Sequence, residues 1–411
     1  MATLPSTGMS REARLRVLCT CLPGVGHFLP MVPLARALID AGHEVAFATA
    51  ADFLPRIGAY GFAAFPAGLS LPEQISEAAR RFPEQHALPP GKERFCTFVP
   101  RMLADVAAPV RAADLVPILR QWRPDVLVHD ETDFGGPVAA AVAGIPYADH
   151  SVAILRPLQA ARLARETILG LWQEWGVDLG PFGGLFKYLY LDVCPPGLQS
   201  PEIDQIDVAH PMTNARLPAE GEHAPPWIDE LRPVPTLYLS LGTLFNQDPH
   251  VFATILEGLR EDDLNVIVTI GADQDPAVLG PQPPHVHIEG FIPQSVLLPR
   301  CDAVINQGGT AIFEILAHGL PLLVVPQGAN QFHNGEACVA AGAALSLLPG
   351  EVTPEAIRAA VRTLIDASSY RERAQLLARE IEAMPGPDPA VRLVEQLARE
   401  RRPLTHAALA P

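Results

Sequence analysis

LRVLCTCLPGVGHFLPMVPLARALIDAGHEVAFATA, residues 15–50, holds the reading that decides the fold. Leu15 to Leu22 is a short apolar, β-compatible run and reads as a buried strand. PGVGHF is a glycine-bearing turn, and PMVPLARALIDAGH carries apolar residues at helical spacing closed by Gly42. EVAFATA is the next strand. Strand, helix, strand within so few residues is the unit of a parallel sheet. Outward from it the pattern recurs at DLVPILRQW, PDVLVHD, GGPVAAAVAG and PYADHS, so the first half is a doubly wound α/β domain. Between about Pro195 and Pro235, PPGLQSPEIDQ and RLPAEGEHAPPWIDELRPVP have no sustained apolar period and read as linker. The alternation restarts with TLYLSLGT, VFATILEGLRE, LNVIVTIG, HVHIEGF, DAVINQGG, IFEILAHG and PLLVVPQ. Helical patterns follow around PEAIRAAVRTLID and YRERAQLLAREIEAM.

Two such domains facing each other leave a cleft along the carboxyl ends of their strands, where ligands of open α/β sheets bind. The expected division is an acceptor-binding domain over 1–215, a linker over 216–234, and a second domain over 235–390. A C-terminal helix within 391–411 is expected to cross back to the first domain. Residues 71–120 and 153–193, with weaker patterns and several aromatics, are candidates for the variable wall of the cleft.

Composition bounds the function. A length of 411 residues suits two cores of roughly 200 residues each. A hydrophobic fraction of 48% with 18% charged residues is that of a globular protein. The net charge of −16 opposes binding to nucleic acid or anionic lipid. No apolar stretch approaches the roughly 20 residues that span a bilayer, and MATLPSTGMSREARLRV has no apolar core before its charges. The expectation is a cytoplasmic protein. The six cysteines, at 19, 21, 96, 194, 301 and 338, include no Cys-x-x-Cys pair and read as reduced thiols.

Several constellations can carry chemistry. In GVGHFLP, His27 stands on the turn after the first strand, where it would project into the cleft; a structural or merely exposed histidine is the plainer alternative. PDVLVHDETD ends a strand with Asp130, which could accept a bond from His27 Nδ1 and fix its tautomer. Asp130 could equally cap the helix near Gly136, and Glu131 and Asp133 are rival partners. INQGGTAIFEILAHGLP places Gly308 and Gly309 before a helix opening near Thr310, an arrangement suited to a diphosphate; an ordinary strand–helix turn accounts for it equally well. LSLGTL offers Gly242 and Thr243 from another strand end. In GFIPQSVLLPRCD, Phe291 could present an aromatic face to a base, or pack in the core. VPQGANQFHNGEA offers Asn330 and Gln331 to sugar hydroxyls. Asp273-Gln274-Asp275 has a metal-binding spacing, but it runs directly from a strand into Pro276 and reads as a solvated loop. No metal and no cofactor is expected.

GHFLPMVPLARALIDAGHEV, LSLGT, the PQ of FIPQ, GGTAIFEILAHGLPLLVVPQGANQFHN and GEACVAAGAA together resemble the inverting nucleotide-sugar glycosyltransferases of the GT-B fold. That family is shared by plant UDP-glycosyltransferases and actinomycete natural-product glycosyltransferases. The resemblance spans nearly the whole chain and implies two Rossmann-like domains facing across a cleft. It implies that His27 is the general base and Asp130 the aspartate orienting it. Phe291 falls where an aromatic residue stacks on the donor base, Ile292 where backbone contacts it, with Gln294 beside them. Glu314 falls at the ribose-binding glutamate, and Asn330-Gln331 where an Asp-Gln pair usually grips the sugar. Family members usually show H-G-G-x-[GNS]-[ST]-x-x-E, whereas Gln307-Gly308-Gly309-Thr310 to Glu314 is one residue shorter. Either Gln307 or Asn306 takes the histidine's place. Neither amide supplies a positive charge to a departing diphosphate. With Asn330 replacing aspartate, this points to a deoxy or amino sugar or to weakened donor binding.

The implied activity is transfer of a sugar, expected to be a deoxysugar, from a dTDP or UDP donor to a hydroxyl of a small natural-product acceptor, as in antibiotic biosynthesis. The alternatives are a homologue with impaired donor binding that serves as a non-catalytic partner of another enzyme, and a nucleotide-sugar epimerase. A homodimer is compatible with the sequence.

Overall fold

The computed structural model describes residues 14–214, 223–242, 249–271 and 274–406. The first sheet contains β1 (Arg16–Thr20), β2 (Glu44–Thr49), β3 (Ala63–Pro66), β4 (Val126–Asp130), β5 (Tyr147–His150), β6 (Tyr190–Asp192) and β7 (Ala209–Pro211). Its spatial order is β3-β2-β1-β4-β5-β6-β7. The second contains β8 (Thr236–Ser240), β9 (Asn265–Thr269), β10 (Val286–Glu289), β11 (Ala303–Asn306), β12 (Leu322–Val324) and β13 (Ala344–Ser346), in the order β10-β9-β8-β11-β12-β13. Every pairing is parallel. Such strands are covered on both faces, which explains why VLVHD of β4 and TLYLS of β8 are buried at every position.

Chain order reverses twice, between β1 and β4 in the first sheet and between β8 and β11 in the second. At such a reversal the helices leaving adjacent strands go to opposite faces, and a crevice opens beyond the carboxyl ends. His27 follows β1 and Asp130 ends β4, while Gly242 follows β8 and Gln307 to Thr310 follow β11. The sequence-derived candidates therefore gather at the two crevices the topology makes.

The linker reading from Pro195 needs correction. Ala209–Pro211 adds β7 to the edge of the first sheet, and a 3₁₀ turn at Pro201–Gln205 leads into it. A three-residue strand ending in proline has no apolar run to betray it, and an edge tolerates the missing N–H. The helix Pro387–Glu400 packs on the helix Val32–Asp40, burying Val391, Val394 and Leu397 in a cluster that also holds Leu34 and Leu38. Glu395 meets His43 Nε2 at 3.0 Å across that contact. Among the described residues, no helix is long and apolar enough to cross a membrane.

Candidate active site

The turn carrying His27 is fixed by its neighbours. Gly24 is extended and its carbonyl accepts from the N–H groups of His27 and Phe28, at 3.1 and 3.0 Å, opening the single-turn helix Val25–Phe28. Phe28 is fully buried, with its ring edge-on to Phe47 and Tyr60 at centroid distances of 5.2 Å each. That anchor turns the next-door imidazole toward the crevice, where its side chain keeps 21% exposure.

Asp130 lies fully buried beneath it, with Oδ2 3.5 Å from His27 Nδ1. The N–H of Leu22 donates to Asp130 Oδ2 and that of Thr132 to Oδ1, at 2.6 Å each. Thr132 Oγ1 bonds Asp130 Oδ1 and lies 3.3 Å from His27 Nδ1. Burial alone would raise the Asp130 carboxyl; the imidazole beside it and the bonds from Thr132 and Leu22 hold it well below the usual carboxylate range. With Nδ1 turned to Thr132 and Asp130, Nε2 is the ring nitrogen left to face a substrate. The rival acids have other work. Asp133 Oδ1 accepts from Gly135 and Gly136 N–H and caps the helix Gly135–Ala143, a role the sequence left open for Asp130. Glu131 turns away, accepting from the Tyr190 hydroxyl at 3.2 Å. Burial, with Asp130 and Asp192 nearby, pushes its carboxyl up to about 7 against the opposing pull of Arg156.

Glu131 and Arg156 are the two charged groups of an open surface hollow, otherwise walled by apolar residues including Phe134, Leu155, Ala161 and Phe186. A smaller hollow on the other side of Phe134 reaches Leu22 and Thr132, which touch the dyad. Arg156 and Phe134 escaped the sequence reading. Thr132 was visible in HDETD, but nothing in the pattern distinguished a hydroxyl that bridges two catalytic candidates from an ordinary loop threonine.

In the second domain the structure separates Gln307 from Asn306. The Asn306 amide is consumed by neighbouring backbone, donating to the carbonyl of Ser240 at the end of β8 at 3.2 Å and accepting from Gly308 N–H at 2.8 Å. Gln307, 7% exposed, instead lies between the two glycine turns. A Cβ at Gly242 would fall 2.1 Å from its Nε2, and one at Gly309 would fall 2.9 Å from it. Its Oε1 is buried and has no hydrogen-bond partner among the described residues. Gly308 has φ +87° and no room for a side chain, since a Cβ would approach Val324 Cγ1 at 2.8 Å. Asn334 donates to its carbonyl at 2.8 Å. The helix expected to open near Thr310 begins at Ile312, because the glycine pair is followed by a further turn over 310–311.

Glu314 lies in the first turn of the helix Ile312–Ala317. Phe291 is 68% exposed, which removes core packing as its role, while Ile292 is buried. Gln294 turns inward, its amide 3.4 Å from the Tyr238 hydroxyl. Gln331 Oε1 accepts from the N–H groups of Gln327 and Gly328, at 2.7 and 2.9 Å, and closes the loop that ends at Asn330. Thr243 and Asp273 lie outside the described residues. Asp275 caps a 3₁₀ turn by accepting from Ala277 N–H at 3.0 Å. Among the described residues no three His, Cys, Asp or Glu side chains cluster as metal ligands.

The two crevices meet. A Cβ at Gly26, the residue before His27, would stand 3.1 Å from Thr310 Oγ1. Nearby the domains also touch through Lys92 Nζ and Glu336, at 2.9 Å, and through His333 Nε2 and the Leu155 carbonyl, at 3.2 Å.

The family models of the N- and C-terminal domains of erythromycin biosynthesis protein CIII-like proteins match residues 92–206 and 253–397. The chain is 33% identical to L-demethylnoviosyl transferase of Streptomyces niveus, over 96% of this chain and 100% of that protein. It is 29% identical to 10-deoxymethynolide desosaminyltransferase of Streptomyces venezuelae, over 94% and 98%. Among solved structures, the Streptomyces sp. SF2575 glycosyltransferase SsfS6 complexed with thymidine diphosphate superposes with a TM-score of 0.76 at 25% identity, covering 93% of this chain and 100% of that one. Two parallel-sheet domains meeting at their switch points, matched end to end by these relatives, make this chain a GT-B glycosyltransferase belonging to the erythromycin CIII-like family of actinomycete natural-product enzymes.

Proposed function

We propose that the chain is an inverting transferase that moves a deoxysugar from a dTDP or UDP donor to a hydroxyl of a small natural-product acceptor. The observation that carries this reading is the meeting of the His27 turn with the glycine turn at Thr310, which brings the candidate base and the candidate diphosphate-binding backbone to one place. The acceptor lies in the first-domain cavity and its hydroxyl reaches His27 Nε2. As the oxygen attacks the anomeric carbon, Nε2 takes its proton, and Asp130 with Thr132 stabilises the imidazolium. The bond from the anomeric carbon to the diphosphate breaks on the opposite face, so the configuration inverts. Gln307, Gly308, Gly309 and Thr310 meet the diphosphate from one side, and Gly242 and Thr243 from the other. Phe291 and Ile292 meet the base, with Gln294 behind them, Glu314 the ribose, and Asn330 and Gln331 the sugar. The SsfS6 and VinC structures, solved with thymidine diphosphate and dTDP, support thymidine as the nucleoside. Asn330, a weaker acceptor than aspartate, suits a sugar with fewer hydroxyls.

The test is product analysis by mass spectrometry with dTDP- and UDP-sugars against a panel of hydroxylated polycyclic and macrolactone acceptors. A conjugate of inverted configuration is expected. His27→Ala should lower transfer by about a thousandfold with folding retained, the scale of a lost general base; undiminished turnover would sink the assignment. The neutral Gln307 with its unpaired oxygen favours one second reading, a chain that no longer binds donor and acts as a non-catalytic partner. Calorimetric titration with dTDP and UDP separates the two, since binding of neither supports the partner role.

A further inference from the structure

Behind the dyad lies a buried pair that the transfer step does not use. His129 and Asp149 are register neighbours on β4 and β5, both fully buried. His129 Nδ1 is 2.9 Å from the backbone carbonyl of Asp130, which only a ring N–H can approach favourably. Nε2 is 2.7 Å from Asp149 Oδ1. At that ion-pair distance one proton lies between ring and carboxyl, and with Nδ1–H turned to the Asp130 carbonyl it makes the ring an imidazolium when Nε2 holds it. Asp133 is the other acid that acts on it, and the Tyr147 ring lies 5.5 Å away. Burial opposes the charge, and Asp149 more than compensates, so the imidazole holds its proton above the ordinary histidine range.

The second oxygen of Asp149 goes elsewhere. Oδ2 accepts from the N–H of Phe186 at 2.6 Å. Phe186 lines the cavity and has φ +59°, a conformation that bulky residues adopt only when their surroundings impose it. Its ring stands edge-on to Tyr190 at 4.9 Å, and the Tyr190 hydroxyl donates to Glu131. At the other end, the Asp130 carbonyl that meets His129 also accepts from Asp133 N–H at 2.9 Å, closing the turn that carries Thr132.

We propose that the His129–Asp149 pair is a positioning device that ties the cavity wall at Phe186 to the turn Asp130–Asp133, so that a seated acceptor and a correctly aimed His27 are held as one rigid unit. His129 and Asp149 touch no reacting atom. The proposal rests on the reading of the cavity as the acceptor site, but its structural half can be tested without any ligand.

In the wild-type chain labelled with ¹⁵N-histidine, His129 is expected to be protonated on both nitrogens at pH 7.5; a neutral ring overturns the proposal. Asp149→Asn keeps an oxygen for Phe186 N–H and removes the charge that holds the imidazolium. Hydrogen exchange of this variant should accelerate by about tenfold or more in two separated segments together, 130–134 and 183–188, as expected when a charge-assisted bond is lost. Acceleration in neither, or in one alone, overturns the coupling. If Asp149→Asn does not fold, His129→Gln asks the same question from the other end, because its amide can reach Asp149 but not also the Asp130 carbonyl. With an acceptor found in the panel above, kcat should fall by about a hundredfold, the effect of an ångström-scale misplacement, while dTDP affinity stays unchanged; unchanged kcat overturns the positioning role. Absence of transfer by the wild type would instead refute the transferase reading, and the ring charge and exchange would still judge the pair.

Discussion

Thr132 is a single hydroxyl with two partners, Asp130 and His27, so its removal should weaken orientation without touching the donor. Thr132→Val is expected to lower kcat by about tenfold, within the range of one lost hydrogen bond to a charged group, and to leave dTDP binding by calorimetry unchanged. Equal losses in both would place the threonine in the donor site instead. One residue earlier, Glu131 makes a prediction about stability. Its folded carboxyl keeps its proton up to about 7, whereas in the unfolded chain it loses it near the ordinary glutamate value of about 4.3. Between those pH values the native state binds more protons than the unfolded state, so this residue makes stability fall as pH rises through that window and hold level above it. Glu131→Gln should therefore stabilise the protein above pH 7 by up to about 4 kcal/mol and have little effect near pH 4. Urea unfolding at the two pH values checks this, and equal effects at both would show that folding leaves the Glu131 carboxyl unshifted.

At the scale of the element, the turns after β8 and β11 form one unit, because Gln307 lies against Gly242 and Gly309. Gly242 has φ +75°, and an added Cβ would meet Gln307 Nε2 at 2.1 Å. Gly242→Ala is therefore expected to cost about 1–3 kcal/mol from backbone strain, and to weaken dTDP binding far more than Gly350→Ala, where a Cβ meets nothing. Equal dTDP affinity in the two variants would detach these turns from the donor. These elements also show what a sequence can and cannot disclose. Parallel strands buried on both faces are continuous apolar runs, so LRVLCTCL and PDVLVHD announced themselves and brought His27 and Asp130 to neighbouring strand ends. The division of labour among Asp130, Glu131 and Asp133 was not legible. It depends on the Leu22 N–H, the Tyr190 hydroxyl and the Gly135 and Gly136 N–H groups, and two of these three lie far away in the chain. β7 was hidden because three residues ending in Pro211 carry no periodicity. Gln307 and Asn306 could not be told apart because only tertiary packing shows which amide the surrounding backbone has consumed.

Across the whole molecule, the largest apolar cluster draws on both domains, from Val17 and Phe28 through Val304 and Leu322 to Leu397 and Leu404. The C-terminal part of the chain returns to the first domain. Pro385 accepts from Thr213 N–H at 2.7 Å, Glu380 Oε2 accepts from Gly197 N–H at 2.6 Å, and Leu404 exchanges backbone and side-chain bonds with Tyr188 and His210. A chain ending at Pro385 would lose Val391, Val394, Leu397 and Leu404 from the core. Burying each such side chain contributes about 1.5–3 kcal/mol, so their sum rivals the entire 5–15 kcal/mol of a typical domain. The His43–Glu395 contact adds little beside this, since Glu395 is partly exposed. The truncated chain should therefore lose the first domain's cooperative unfolding transition and bind dyes that report exposed apolar surface. Glu395→Ala in the full chain should change Tm by only a few degrees, the shift that about 1 kcal/mol gives. If the truncated chain melts like the full one, the C-terminal helix is an appendage, and the first domain is stable without it. If it melts early while the second domain still binds dTDP, the helix is the strap that holds the first domain's fold, with its His27 turn, in place.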